Sequence, residues 1–314
     1  MPAWMVTGGS GFLGRHLLAR LAGVRESGVE VVAIGRRIPR GWPVDRFVAV
    51  DLDDAEGLAR AVARIGPACT FHLAGQTPPA SPDRLYRSNA MATVHLLDAL
   101  RSWGHPTRAV LVGSAAELGP VAVGDLPVGE EHPCRPADAY GLSKWLATAA
   151  GLAARPPLEV VVARVFNPIG PGLPASQALG RFAEALADGP GPLRLVVGDL
   201  AARRDFVDAR DVASALIALA GRGLSGRVFH VGTGRSESVG DGLDRLIERS
   251  GREVEVVVDP ATVGRGGGPS DSRADVRRIA AEVGWSASIS WEDSLRDLWL
   301  DALRPGLTDR RGPV

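Results

Sequence analysis

Ala3-Trp4-Met5-Val6-Thr7-Gly8-Gly9-Ser10-Gly11-Phe12-Leu13-Gly14 is the stretch on which the reading of this chain turns. A short apolar run ends in a glycine-dense turn, and a helical pattern (Phe12, Leu13, Leu17, Leu18, Leu21) follows at once. That order suits a pyrophosphate. Glycine lets the backbone double back and lets an anion approach it, and the free amides and positive pole of the following helix then hold the anion. Glycines stand at 8, 11 and 14, and the set 9-11-14 also meets the looser dinucleotide spacing. Gly8, Ser10, Gly11, Phe12, Leu13 and Gly14 are therefore expected at a bound dinucleotide.

Outward from this turn, strands alternate with helices. Strands are expected at residues 29–34, 47–50, 70–74, 109–112 and 158–163, with helices at 58–65, 83–103 and 137–154 between them. The strands are apolar runs without polar alternation, the mark of a parallel sheet covered on both faces. From Val165 the texture changes. A loop at Asn167–Gly172 leads to a helix at 179–186, a strand at 193–197, a helix at 211–220 and a strand at 228–231 able to rejoin the sheet. Helices at 239–249, 279–283 and 291–303 complete a smaller lobe, and the tail from Arg304 is expected to fray. The fold class read is α/β, a Rossmann-type doubly wound parallel sheet with an interleaved C-terminal substrate lobe. Residues 1–165 form the dinucleotide-binding unit, rejoined by about 205–235, and 166–204 with 236–305 form the substrate lobe. Ligand should sit outside the carboxyl ends of the strands, an edge that collects Gly8–Gly14, Arg36, Asp51, Ala74, Ser114 and Asn167.

Composition excludes several classes. The 314 residues carry 36 basic and 36 acidic side chains, so no general electrostatic case exists for nucleic acid or an anionic membrane. Cys69 and Cys134 are too few for a disulfide framework or a zinc cluster and suit a reducing compartment. No metal site is read, no apolar run reaches the length of a membrane span, and the first strand begins at Ala3, so a cytoplasmic protein is expected.

Tyr140-Gly141-Leu142-Ser143-Lys144 is the second informative stretch. Tyr140 and Lys144 are four apart and share a helix face. An ammonium beside a phenol favours phenolate and is expected to draw its pKa down from about 10 towards the working range. Ser114, at a strand end on the ligand edge, is placed to bond the oxygen that the tyrosine protonates.

These stretches together resemble the extended short-chain dehydrogenase/reductase family, the nucleotide-sugar epimerases, dehydratases and reductases. Thr7–Gly14 matches its cofactor turn, His72-Leu73-Ala74-Gly75 its fourth-strand motif, and Tyr140 to Lys144 its catalytic pair. Within it, the chain is most similar to GDP-4-keto-6-deoxymannose reductases, through Gly113–Pro120, Asn167–Gly172, Gly198–Leu200, Arg204–Asp211 and Gly284-Trp285. The resemblance implies Tyr140 as proton donor, Lys144 on the nicotinamide ribose and Ser114 on the carbonyl. It implies Leu73, Ala74 and Gly75 beside the cofactor, Asp51 and Leu52 at the adenine, Asn167 and Arg204 on the substrate's phosphates, and a homodimer packed through helices near 89–103 and 137–154.

Departures from the family pattern narrow the reaction. Strand two ends at Gly35-Arg36-Arg37, where an NAD-preferring member carries an acid, and guanidinium there fits a 2′-phosphate. NADP(H) is favoured, with NAD(H) the alternative. The dehydratases' Asp-Glu pair is replaced by Ala115 and Ala116, which disfavours elimination of water, and Leu118 replaces a tyrosine usual in 4-epimerases. Glu117 is read as structural or as a substrate contact, and Asp51 as an adenine contact or a helix cap. His72 is read as a hydrogen-bonded core residue. His132, Cys134 and Arg135 receive no role. Gly268 stands where such enzymes place a pyrophosphate arginine, so either Arg265 or Arg273 has taken over that contact or the substrate carries no nucleotide diphosphate. The reading is NADPH-dependent reduction of a keto group on a nucleotide-linked 4-keto-6-deoxyhexose. Its rivals are an NAD-dependent 4-epimerase, a reductase of a non-nucleotide sugar or cyclitol, and a non-catalytic dinucleotide sensor.

Overall fold

A computed structural model describes residues 2–25, 28–39, 41–259 and 271–304. The apolar run Ala3–Thr7 forms β1, and α1 (Phe12–Val24) buries Leu17, Leu18 and Leu21 beneath it. β2 (Glu30–Gly35) and β3 (Arg46–Ala49) follow, then α2 (Ala55–Ile65), started by the Asp54 carboxylate accepting the Gly57 amide and stopped at left-handed Gly66. β4 (Pro67–His72) ends two residues earlier than periodicity suggests.

The helix expected over 83–103 is three pieces: α3 (Pro82–Leu85), a π-helical turn at Tyr86–Met91, and α4 (Ala92–Trp103). The wider turn rotates the register. Asn89 and Ala90 go inside, while Met91 is 46% exposed.

β5 (Thr107–Ser114), α5 (Ala139–Leu152) and β6 (Leu158–Val165) complete the first run. Next come β7 (Asn167–Ile169), α6 (Ala178–Ala187), β8 (Leu193–Val197), β9 (Arg203–Arg204), β10 (Phe206–Asp208) and α7 (Ala209–Arg222). β11 (Arg227–Val231), β12 (Glu237–Ser238), α8 (Val239–Ser250), β13 (Val254–Val258), α9 (Arg277–Val283) and α10 (Trp291–Ala302) end the described chain. The expected fraying beyond Arg304 lies outside the described residues, as do Arg265 and Gly268.

The main sheet has seven parallel strands in the order β11-β6-β5-β4-β1-β2-β3. The order reverses direction beside β1, which opens a crevice at its carboxyl end where ligands bind in such sheets. Leucines of α1 and α7 cover one face together with Phe71 and Phe229; Leu58, Leu96 and Leu100 from α2 and α4 cover the other. A third cluster joins α6, α8 and α10 through Phe182, Leu243 and Leu295. β13, pairing parallel with β8, and the short pairs β7–β10 and β9–β12 were not legible in the sequence. They are two to five residues long, below the length at which periodicity speaks.

Among the described residues no helix is long and apolar enough to cross a membrane.

Two buried histidines are held neutral. His72 sits between the Thr7 hydroxyl (2.8 Å from Nδ1) and the Thr93 hydroxyl (2.9 Å from Nε2). Thr93 spends its own proton on the Asn89 carbonyl, so Nε2 is the donor and Nδ1 accepts from Thr7. His230 donates from Nδ1 to the Val128 carbonyl and accepts at Nε2 from Arg164. Burial pushes both down to about 3. An unfolded chain therefore binds more protons than the folded one between about pH 6.5 and 3. Stability should fall across that window as pH drops, by up to about 1.4 kcal/mol per histidine per pH unit. Urea midpoints measured from pH 7 to 4 check this; a flat profile would contradict it.

Candidate active site

The glycine turn is built without room for side chains. A Cβ on Gly8, at φ +70°, would lie 2.5 Å from the Ala74 amide nitrogen, and one on Gly14 would lie 2.1 Å from the Gly8 carbonyl oxygen. Helix α1 thus starts hard against the turn, with its first amides free. Ala in place of Gly14 would gain about 1 kcal/mol of helix propensity, but the Cβ must push the turn open. Gly14→Ala is expected to cost about 2 kcal/mol net and to weaken NADPH binding more than tenfold, read by thermal denaturation and cofactor fluorescence titration.

A cleft of about 300 Å³ opens beside the turn. Gly8, Ser10 and Gly11 line it, as do Arg36, Arg37, Asp51, Leu52, Leu73, Ala74 and Gly75. Three residues expected there from the turn and the helix start do not. The side chain of Phe12 turns into the α6–α8–α10 cluster and meets His16 edge-on, Leu13 packs on the core beneath α1, and Gly14 is buried under the turn. A residue at the start of this helix offers the cleft its amide, whereas its side chain follows the helix's own packing.

Asp51 is not the cap of α2, since Asp54 fills that position. Its carboxylate lies 3.9 Å from the Arg36 guanidinium across the cleft mouth, and both side chains are about half exposed. The arginine follows directly on β2 and lines the cleft.

Ser114, Tyr140 and Lys144 are not among the residues lining this cleft, but they are brought together beside it. Ser114 is the last residue of β5, and its hydroxyl stands near enough to the Tyr140 phenol to act on its ionisation. Asp138 caps α5 by accepting the Gly141 amide at 2.7 Å, which sets the first turn that carries Tyr140. Gly141 has no side chain because the Ala116 carbonyl comes within 2.4 Å of where one would be. One turn on, Lys144 donates from Nζ to the Val112 carbonyl at 2.5 Å.

The electrostatics differ from the expectation. Burial pushes the Tyr140 phenol above its ordinary value; the Ser114 hydroxyl opposes this, while Glu117 and Asp138 add to it. Burial also pulls the Lys144 ammonium down, with Glu117 opposing. The sequence argument weighed only the neighbouring ammonium. In the folded chain desolvation of the phenol dominates, and the phenol stays protonated.

Asn89 was missed by the sequence reading and links cleft to cluster. From the π turn it accepts the Gln76 amide, donates to the Gln76 carbonyl, and donates to the Ser143 hydroxyl on α5. An Asn four residues after Leu85 and seven before Leu96, at the spacing of the buried leucines, was the available signal. Such π turns recur at functional sites.

Asn167 and Arg204 are drawn close by the β7–β10 pairing. The Asn167 amide donates to the Asp205 carbonyl, next in sequence to Arg204. Burial lowers the Arg204 guanidinium while the carboxylates of Asp199 and Asp271 oppose this. Glu117 is not a substrate contact: it is fully buried. Among the described residues no group of three His, Cys, Asp or Glu side chains is placed to hold a metal.

A switch-point crevice with a side-chain-free glycine turn, and a Ser-Tyr-Lys cluster at its rim, belong to a Rossmann-type NAD(P)-dependent oxidoreductase. More narrowly, the chain belongs to the NAD dependent epimerase/dehydratase family, whose model matches residues 4–232. It is 32% identical to a dTDP-6-deoxy-L-talose 4-dehydrogenase (NAD(P)(+)) of Kitasatospora kifunensis, over 94% of this chain and 93% of that protein. It is likewise 32% identical to a GDP-6-deoxy-D-mannose reductase of Pseudomonas aeruginosa, over 94% and 95%. A solved structure of RMD from Pseudomonas aeruginosa complexed with NADPH superposes with a TM-score of 0.82 at 30% identity, covering 96% of this chain and 99% of that one.

Proposed function

We propose that this protein reduces, with NADPH, the 4-keto group of a nucleotide-linked 6-deoxyhexose. The carrying observation is the Tyr140 phenol, kept protonated beside Ser114 and next to a cleft bordered by Arg36 and Arg37. Likeness to a dTDP-6-deoxy-L-talose 4-dehydrogenase and to a GDP-6-deoxy-D-mannose reductase supports the substrate class. The glycine turn, the cleft wall at Leu73–Gly75 and the two arginines fit an NADP-type dinucleotide, which supplies the hydride when bound. Tyr140 gives its proton to the keto oxygen. Ser114 donates to the same oxygen, and the ammonium of Lys144, anchored at Val112, favours the phenolate that proton loss leaves. Ala115 and Ala116 offer no acid-base pair for elimination. Asn167 and Arg204 hold the diphosphate by hydrogen bond and charge.

The protein acts in the cytoplasm as a homodimer. Leu142 and Leu146, one turn apart on α5, are 37% and 45% exposed, and with Met91 they offer apolar area to a second copy.

Incubation with NADPH and GDP- or dTDP-linked 4-keto-6-deoxyhexoses tests the reading. Stoichiometric loss of NADPH absorbance is expected; interconversion of 4-epimers without net NADPH loss would overturn it in favour of an epimerase. Arg36→Asp is expected to lower the preference for NADPH over NADH by roughly ten- to a hundredfold. An unchanged ratio of kcat/KM values would refute the role given to Arg36.

A further inference from the structure

One buried carboxylate bonds both elements that carry the catalytic cluster. Glu117 lies in the tight turn after β5, fully buried, and its Oε1 accepts the Ser114 amide at 2.7 Å and the Thr148 hydroxyl at 3.1 Å. Ser114 ends the strand. Thr148 lies one turn beyond Lys144 on α5, the helix that presents Tyr140 and Lys144. The other oxygen accepts from the guanidinium of Arg164 on β6 at 3.0 Å, and Arg164 is itself 1% exposed. Arg164 is held in turn by His230 on β11 and by the Cys134 sulfur.

The site is shaped for this carboxylate. Gly113 has no Cβ, and one placed there would lie 2.5 Å from Glu117 Oε1 and 3.3 Å from the Thr148 hydroxyl. A charge this deep is costly unless paired and hydrogen-bonded. Here the carboxylate is both, and the groups it bonds belong to the elements carrying the reacting side chains.

We infer that Glu117, backed by Arg164, is a positioning residue: it ties the Ser114 end of β5 to α5 at Thr148 and so sets Ser114 against Tyr140. This rests on the reading of Ser114 and Tyr140 given above. Neither Glu117 nor Thr148 touches substrate in this account; both act through Ser114 and Tyr140.

Two conservative changes at Thr148 separate a hydrogen-bonding role from a packing role. Thr148→Val keeps the volume and loses the hydroxyl, whereas Thr148→Ser loses the methyl and keeps the hydroxyl. A tie through the hydroxyl predicts that Thr148→Val lowers kcat about fivefold, the worth of one hydrogen bond, with the KM for NADPH within twofold. Thr148→Ser is expected to stay within twofold of the parent in both. Exchange of the Ser114 amide, followed by hydrogen–deuterium exchange, should quicken in the Val variant and not in the Ser variant. Full turnover by Thr148→Val, or a Ser variant impaired as much as the Val variant, overturns the inference.

Glu117→Gln removes the charge and keeps an acceptor. The charged groups about the phenol are Glu117 from the turn after β5, with Asp138 and Lys144 on its own helix. Losing the Glu117 charge should lower kcat about thirtyfold, beyond one hydrogen bond, and move its alkaline limb towards neutral pH. An unmoved limb with parental kcat contradicts the inference. Should Glu117→Gln not fold, the Thr148 pair decides. Should the parent reduce no keto sugar, the functional reading falls, while amide exchange in the two Thr148 variants still tests the tie.

Discussion

Tyr140→Phe is expected to lower kcat by about two to four orders of magnitude while NADPH still binds. Loss of a positioned general acid costs about that much, and the phenyl ring fills the same space beside Ser114. Burial holds the phenol above its ordinary pKa, so the parent enzyme has its donor protonated throughout the neutral range. The kcat of reduction should therefore be level from about pH 6 to 9 and fall only when the phenol ionises, above its usual value near 10. That alkaline limb should vanish in the residual rate of Tyr140→Phe. Steady-state kinetics across pH, with NADPH fluorescence titration for binding, tests both parts. A Phe variant with parental turnover would remove the tyrosine from the chemistry.

Arg164→Met is expected to produce the largest stability loss. Arg164 and Glu117 are 1% and 0% exposed and joined at 3.0 Å, so removing the guanidinium leaves a carboxylate deep in the protein without its counter-charge. Breaking one side of such a pair costs about 3–5 kcal/mol. The double variant Arg164→Met/Glu117→Gln, which buries no unpaired charge, should recover a good part of that loss. Urea unfolding of the single and double variants decides; a double variant no more stable than Arg164→Met would show that shape, and not charge, sets the cost.

The local signals in the sequence were strong where one element carries the whole message. The glycine turn is strand, turn and helix in succession, and Tyr140 and Lys144 share a helix face whatever surrounds them. Arg36 and Arg37 were placed by where strand two ends, Leu73, Ala74 and Gly75 by likeness to the family's fourth-strand motif, and all line the cleft. Side-chain direction was less legible. Phe12 and Leu13 have the right sequence position, yet their side chains serve the cores on either side of α1. Asp51 left two readings open, and the fold chose between them by giving the cap to Asp54.

Glu117 shows the boundary most clearly. Its partners lie 31 residues away at Thr148 and 47 away at Arg164, and nothing between them in the chain marks the connection. The direction of the Tyr140 shift has the same origin, because desolvation depends on what the whole fold packs around a group. The sequence by itself determined the alternation of strands and helices through β6, the anion-binding turn and the Tyr-Lys pair, since these follow from backbone geometry and periodicity within a few residues. Only the tertiary structure decided which polar groups are buried, with whom they pair and how they titrate, because burial and pairing are set by contacts between segments far apart in the chain.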